Sequence, residues 1–248
     1  LSYHREAVES LLLNKADSLN LSRFYVVPDY QSDRNGEQIA GLFGHLPLLT
    51  GGSGLLEPLA RRLAEHTGGS AETSYCRTEG PALLIAGSCS KATLSQIAAF
   101  QKQGGVSAKL DPSSLLEQPV EQAVDQLWEF VAAHPDTPVL IYSSDTAEHV
   151  RDAQKQAGSV PISSLLEEAG ALLAERAVEH GYRRLIIAGG ETSGAVTKKL
   201  GLDSYQIGES VAPGVPVMIP YKRPDLRLVL KSGNFGQEDF FQRALDMT

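Results

Sequence analysis

The chain has 248 residues, 42% hydrophobic and 21% charged, which is enough apolar material for one large core or two smaller ones. A formal net charge of −8 argues against nonspecific binding to nucleic acid or an anionic membrane, since both demand a basic surface. No apolar run approaches the roughly 18 residues of a membrane-spanning helix. Two cysteines, Cys76 and Cys89, suit a reducing compartment better than a disulfide scaffold, so a cytoplasmic location is expected.

The amino end, "LSYHREAVESLLLNKADSL", is amphipathic and charged, without a secretory pattern, and its lack of an initiator Met is expected of a fragment or a processed chain. Strands are predicted at Phe24 to Asp29, Pro47 to Thr50, Pro81 to Gly87, Pro138 to Ser143, Arg184 to Gly190 and Arg227 to Gly233. Most are continuous apolar runs, the mark of strands covered on both faces. Between them lie helical patterns. "PVEQAVDQLWEFVAA" puts Val124, Leu127, Trp128 and Val131 on one face with Pro119 in the first turn, and Trp128 reads as core. "SLLEEAGALLAERAVEHG" repeats Leu165, Ala169, Leu172, Leu173 and Ala177, with Ser164 and Glu167 spaced for a capping box and Gly181 placed to end the helix. The alternation gives an α/β class: a mainly parallel sheet flanked by helices (α/β/α), with a partial second α/β domain at the N-terminus. A Gly-, Ser- and Thr-rich stretch from Glu65 to Leu84 sets the expected division at residues 1–68 and 69–248.

One arrangement occurs three times: an apolar strand, a turn of Gly, Ser or Thr, then a helix. It appears in "LPLLTGGSGLLEPLARRL", "LLIAGSCSKATLSQIAAF" and "LIIAGGETSGAVTKKL". Such turns offer backbone N–H groups at a helix start, where the dipole also favours an anion. Taken singly, such a turn reads first as a mere connection; three together raise the odds of an anion site. A Walker A loop is excluded because Ala195 follows Gly194 where Lys is required, and a dinucleotide fingerprint fails because Glu57 stands where Gly52 and Gly54 call for a third glycine. "LKSGNFGQEDFFQRAL" adds a fourth element, with Lys231 as a candidate cation and Gly233 and Gly236 allowing close approach. "APGVP" reads either as a type II turn or as a rigid wall for a flat ligand. The six histidines show no metal spacing, so no metal ligand is assigned. Cys89 reads as a small buried residue rather than a nucleophile.

In order, "AGSCS" with Thr93 and Gln96, "AGGETSG", "APGVP" and "KSGNFG" resemble the C-terminal nucleotide-binding domain of the four-carbon acid sugar kinases, from Ala82 to Leu245. "GHLPLLTGGSGL" (Gly44 to Leu55) is similar to the end of that family's substrate domain. The resemblance implies ATP-dependent phosphorylation, with Mg²⁺, of the terminal hydroxyl of 3-oxo-tetronate, threonate, erythronate or a related acid. It implies ATP-binding residues at Ser88, Gly190, Glu191, Thr192, Ser193 and Gly233, a substrate-domain remnant in residues 1–68 and a nucleotide-binding domain in 69–248. Glu191 is a candidate either to hold Mg²⁺ or to favour its own helix start. The implied partner is a small sugar acid, with no nucleic acid or membrane, and the expected assembly is a homodimer. The family's Asp-Asp-Leu/Phe-Thr-Gly-Ala signature does not occur here. No catalytic residue is therefore assigned, and Asp29 and Asp33 read first as turn or strand-end residues. Two alternatives stand: a non-catalytic nucleotide- or anion-binding module, and a sugar-phosphate isomerase or lyase that uses the same turns for a substrate phosphate.

Overall fold

A computed structural model describes residues 4–67, 77–145, 147–159 and 161–248. Cys76 and the expected division between residues 68 and 69 lie outside the described residues. The chain separates into two compact units, residues 1–72 and 73–248.

In the first unit the described elements are helical: α1 (Arg5–Ser18), α2 (Asp33–Phe43), a 3₁₀ turn (Ser53–Leu55) and α3 (Leu56–Thr67). Ser32 and Asn35 open α2 through a capping box, with Asn35 Oδ1 accepting from the Ser32 amide at 3.1 Å. The strands expected at Phe24 to Asp29 and Pro47 to Thr50 do not form, and among the described residues the partial N-terminal α/β domain is a helical region instead. The physical reason is pairing: a strand needs neighbouring strands for its backbone, and none is described in this unit. Tyr25 and Val27 are instead 92% and 88% exposed.

The second unit carries a seven-stranded sheet: β1 (Ala82–Ala86), β2 (Val106–Lys109), β3 (Val139–Tyr142), β4 (Arg184–Ala188), β5 (Tyr205–Ala212), β6 (Val215–Pro220) and β7 (Arg227–Lys231). Their order is β2-β3-β1-β4-β7-β6-β5. The first five in that order run parallel, while β6 and β5 are antiparallel additions at one edge. Helices cover both faces: α4 (Lys91–Lys102), α5 (Ser114–Glu117), α6 (Val120–Ala132), α7 (Ala147–Ala157), α8 (Ile162–Glu179), α9 (Gly190–Lys199) and α10 (Phe240–Met247). Strand alternation sorts the core. Leu83, Ile85, Leu185 and Ile187 pack with Val124, Leu173, Ala177 and Val196 of α6, α8 and α9. Leu84, Ala86, Ile186 and Val229 pack with Ile97, Phe100, Phe240 and Phe241 of α4 and α10.

The sequence reading holds for α6, where Trp128 packs against the core with its ring 5.8 Å from that of Tyr182. It differs at α8, which begins two residues before Ser164. Pro161 sits at its N-cap, so Ser164 and Glu167 lie inside the helix and form no capping box. Gly181 does follow the helix end, at φ 92°. "APGVP" is the corner of the β5–β6 hairpin. Ala212 pairs with Val215 across Pro213 and Gly214, and Gly214 has the φ of 76° that a type II turn asks of its third residue.

Candidate functional site

A cavity of about 600 Å³ opens at the carboxyl ends of β1, β3 and β4, the edge at which parallel α/β sheets usually hold ligands. One wall is made by the strand-to-helix turns: Gly87, Ser88 and Cys89 after β1, Ser143 after β3, and Gly189, Gly190, Glu191 and Thr192 after β4. The rest of the lining is Pro112 ahead of α5, Arg151 and Gln154 of α7, and Ile162, Ser163, Leu166 and Glu167 of α8.

The β4–α9 turn depends on glycine. Gly189 has φ 139°, and a Cβ there would stand 3.0 Å from Thr192 Oγ1 and 3.2 Å from the Ser88 amide nitrogen. Its own N–H donates to the Lys231 carbonyl at 2.8 Å, and its carbonyl accepts from Ser193 N at 2.9 Å as α9 begins. The amides of Gly190, Glu191 and Thr192 therefore precede the helical bonding and constitute an anion-attracting helix start. A Cβ on Gly190 meets nothing within 4 Å. Thr192 is 7% exposed, and its hydroxyl occupies the place a side chain on Gly87 would need.

The other two turns contribute differently. The amides of Gly87 and Ser88 both donate to the Ala188 carbonyl, at 2.9 and 3.2 Å, so what Ser88 offers the cavity is its side-chain hydroxyl. Gly233 backs onto Ser88 so closely that a Cβ would overlap Ser88 Oγ. The Gly233 carbonyl points the other way, accepting from Ser90 Oγ at 2.5 Å, Thr93 Oγ1 at 3.1 Å and Lys231 Nζ at 2.8 Å. Gln96, fully buried, donates to the carbonyls of Phe235, Gly236 and Gln237 at 3.0, 3.1 and 3.0 Å. Thr93 and Gln96 thus shape the "KSGNFG" loop from beneath.

The structure brings Ser88, Gly190, Glu191 and Thr192 to one cavity and places Gly233 directly behind Ser88. Ser193 does not line the cavity; its Oγ is buried and makes no hydrogen bond. Lys231 does not line it either. Its side chain shares the α4/α10 face with Val229, is fully buried, and is spent on Thr93, Ser232 and Gly233. Burial pushes its ammonium down from 10.5 to about 8. The cation that does line the cavity, among the described residues, is Arg151. Cys89, expected to be buried, is exposed at the cavity wall, because it follows β1 on the open end of the sheet rather than within it.

Sequence reasoning missed Ser143, Arg151 and Glu167. For Ser143 a signal existed, since "VLIYSS" repeats the apolar strand followed by small polar residues. Arg151 and Glu167 carry no such mark, being charges among several others on the polar residues of their helices.

These features define an α/β domain with a cavity at the carboxyl edge of its sheet, and residues 83–241 match the family model described as "Nucleotide-binding C-terminal domain". The chain is 39% identical to a 3-oxo-tetronate kinase of Burkholderia multivorans over 93% of its own length and 53% of that protein. It resembles the crystal structure of a putative tRNA synthase from Salmonella typhimurium LT2 (TM-score 0.79, 34% identity), covering 96% of this chain and 56% of the other. It also resembles Haemophilus influenzae protein HI1011 (TM-score 0.74, 31% identity), with shares of 98% and 56%. The chain belongs to the four-carbon acid sugar kinase family. It spans about half the length of the curated relatives it matches.

Proposed function

We propose that the cavity binds ATP and that the chain is the nucleotide-binding part of a kinase acting on the terminal hydroxyl of a four-carbon sugar acid of the 3-oxo-tetronate, threonate or erythronate class. The observation that carries this reading is the convergence of the α9 helix start, Ser88 and the glycine turns on one cavity at the carboxyl edge of the sheet. Phosphoryl transfer relies on positioning and charge neutralisation more than on covalent protein chemistry. The amides of Gly190, Glu191 and Thr192 and the Ser88 hydroxyl hold the phosphates in this reading, and Arg151 supplies positive charge from the opposite wall.

Mg²⁺ fits this donor set. It is commonly held by one or two carboxylates together with substrate phosphates, and Glu191 and Glu167 both line the cavity. When bound, the ion would neutralise charge on the phosphates. No group of three or more acidic, His or Cys side chains suited to an all-protein metal cage is present among the described residues.

Calorimetric titration with ATP and Mg²⁺, on the chain and on Gly190→Val, tests the reading. A side chain at Gly190 enters open space, so the variant folds and obstructs the cavity; binding should be present in the parent and lost in the variant. Saturation at about 100 times the dissociation constant should add roughly 2.7 kcal/mol of stability. ATP should also shield Cys89 from alkylation. Absence of both binding and shielding at millimolar ATP removes the proposal. If ATP binds, assay with the three acids separates a kinase from a non-catalytic nucleotide-binding module.

A further inference from the structure

Among the described residues of the second unit, Lys231 is the largest fully buried side chain to carry a charge, and nothing in the proposed chemistry uses it. It stands at the end of β7, between the two turns that meet at the cavity. Its carbonyl fixes the Gly189 amide at 2.8 Å, which anchors the β4–α9 turn. Its ammonium fixes the Gly233 carbonyl at 2.8 Å and the Thr93 hydroxyl at 2.9 Å, and Thr93 in turn donates to the same carbonyl at 3.1 Å. Gly233 is the residue whose backbone abuts Ser88. One residue therefore ties both anion-site turns to a common point, through its backbone on one side and its side chain on the other.

The groups facing the ammonium are neutral: Thr93 from α4, the Phe240 ring of α10 at 5.7 Å to its centroid, and the carbonyls of Ser232 and Gly233. The charged residues of the same elements are all exposed: Lys91 and Lys102 on α4, Glu238 and Asp239 ahead of α10, and Arg243 and Asp246 within it. A buried ammonium without a carboxylate is costly, and a polyanion arriving at the adjoining turns lowers that cost. We propose that Lys231 is a positioning residue of the anion site: its protonated side chain holds the Gly233 turn in place without touching the ligand, and ligand binding is thereby coupled to its protonation. This rests on the reading of the cavity as a nucleotide site.

The sign follows from linkage. Desolvation already brings Lys231 down to about 8 in the free protein. Anion binding favours the charged form and raises that value. Affinity should therefore be full below about pH 8, fall as pH rises through it, and be accompanied by proton uptake near that pH. The phosphates themselves are ionised throughout, their last pKa being about 6.

Calorimetry of ATP with Mg²⁺ binding to the full chain, at about pH 7.5 and about pH 9.5 and in two buffers of different ionisation heat, reads both quantities. The expected result is an affinity roughly tenfold lower at the higher pH, with protons taken up near pH 8. Lys231→Met should bind about tenfold more weakly at the lower pH and show little further loss. The Cys89 thiol is present in both proteins, so the difference between them isolates Lys231. If Lys231→Met fails to fold, proton uptake by Cys89→Ser decides: uptake near pH 8 supports the coupling and its absence overturns it. A flat wild-type profile, or a Lys231→Met protein that keeps both affinity and slope, overturns the role of Lys231 while leaving the nucleotide site intact. A wild type that binds no ATP at any pH overturns both.

Discussion

The segments "FYVV" (Phe24 to Val27) and "LIIA" (Leu185 to Ala188) carry the same signal in sequence and meet opposite fates. Leu185, Ile186, Ile187 and Ala188 are all at 0% exposure, paired on one side with β1 and on the other with β7. Phe24, Tyr25, Val26 and Val27 are 41, 92, 41 and 88% exposed, and no strand is assigned to them. A run of apolar residues records that a segment has an affinity for cover on both faces. It carries no information about who supplies the neighbouring strands. In the second unit β1 and β7 do so for β4, within a run of five parallel strands in which the backbone of each is satisfied by the next.

The largest expected effect lies at the centre of that difference. Ile186→Ala removes a fully buried side chain that packs with α4 and α10, and should cost about 3 to 4 kcal/mol, part transfer and part residual cavity. Urea unfolding followed by fluorescence of Trp128, which packs against the core on the other face of the same sheet, measures it. A loss under about 1 kcal/mol would mean that the second unit is packed no better than the first.

Lys231 probes the density of the same unit by charge. Its folded value of about 8 lies below the ordinary 10.5, so between these values the unfolded chain binds the extra proton. Stability should thus rise as pH climbs from about 8 to about 10.5, by at most about 3 kcal/mol at 1.36 kcal/mol per unit. Below about pH 8 both states are protonated and the full cost of the buried charge is felt. Lys231→Met should lack this rise, and the comparison of the two proteins removes the contribution of every other titrating group. Nucleotide affinity moves in the opposite direction over the same range, which a purely structural lysine does not produce.

Gly87→Ala tests the crest of the sheet. The added methyl group would overlap Thr192 Oγ1, so either the side chain rotates or α9 shifts, at a cost of about 1 to 3 kcal/mol. Binding of ATP should fall with it, since Thr192 lies in the helix start. Equal stability and equal affinity would mean that the turn accommodates a side chain freely.

What could be read in advance follows the same division. β1, β3, β4 and β7 were legible because each central parallel strand has a continuous apolar run at its middle. β2, "VSAK", is a half-buried edge of four residues and gives no such run. β5 is mostly exposed and β6 only partly buried along a bulged antiparallel edge, and the proline and glycine between them read as a turn without announcing the strands it joins. The turn wall of the cavity was legible because a positive φ at Gly189 and close contact at Gly233 and Gly87 leave glycine in the sequence. The opposite wall was not: Arg151 and Glu167 look like any charge on a solvated helix face, and only the chain path puts them over the turns. Lys231 was misread for the converse reason, as lysines are rarely buried, and only the packing of α4 and α10 reveals that this one is.

Val27→Ala should have the smallest effect, within about 0.5 kcal/mol, and it is the sharpest partner to Ile186→Ala. Both shorten a β-branched residue inside a run that reads as a buried strand. At Ile186 the lost atoms leave a hole bounded by fixed neighbours. At Val27, 88% exposed, they leave water. The two substitutions therefore share a sequence context and differ only in what the fold places around them. A cost at Val27 near that at Ile186 would show that residues 24–27 are covered in solution.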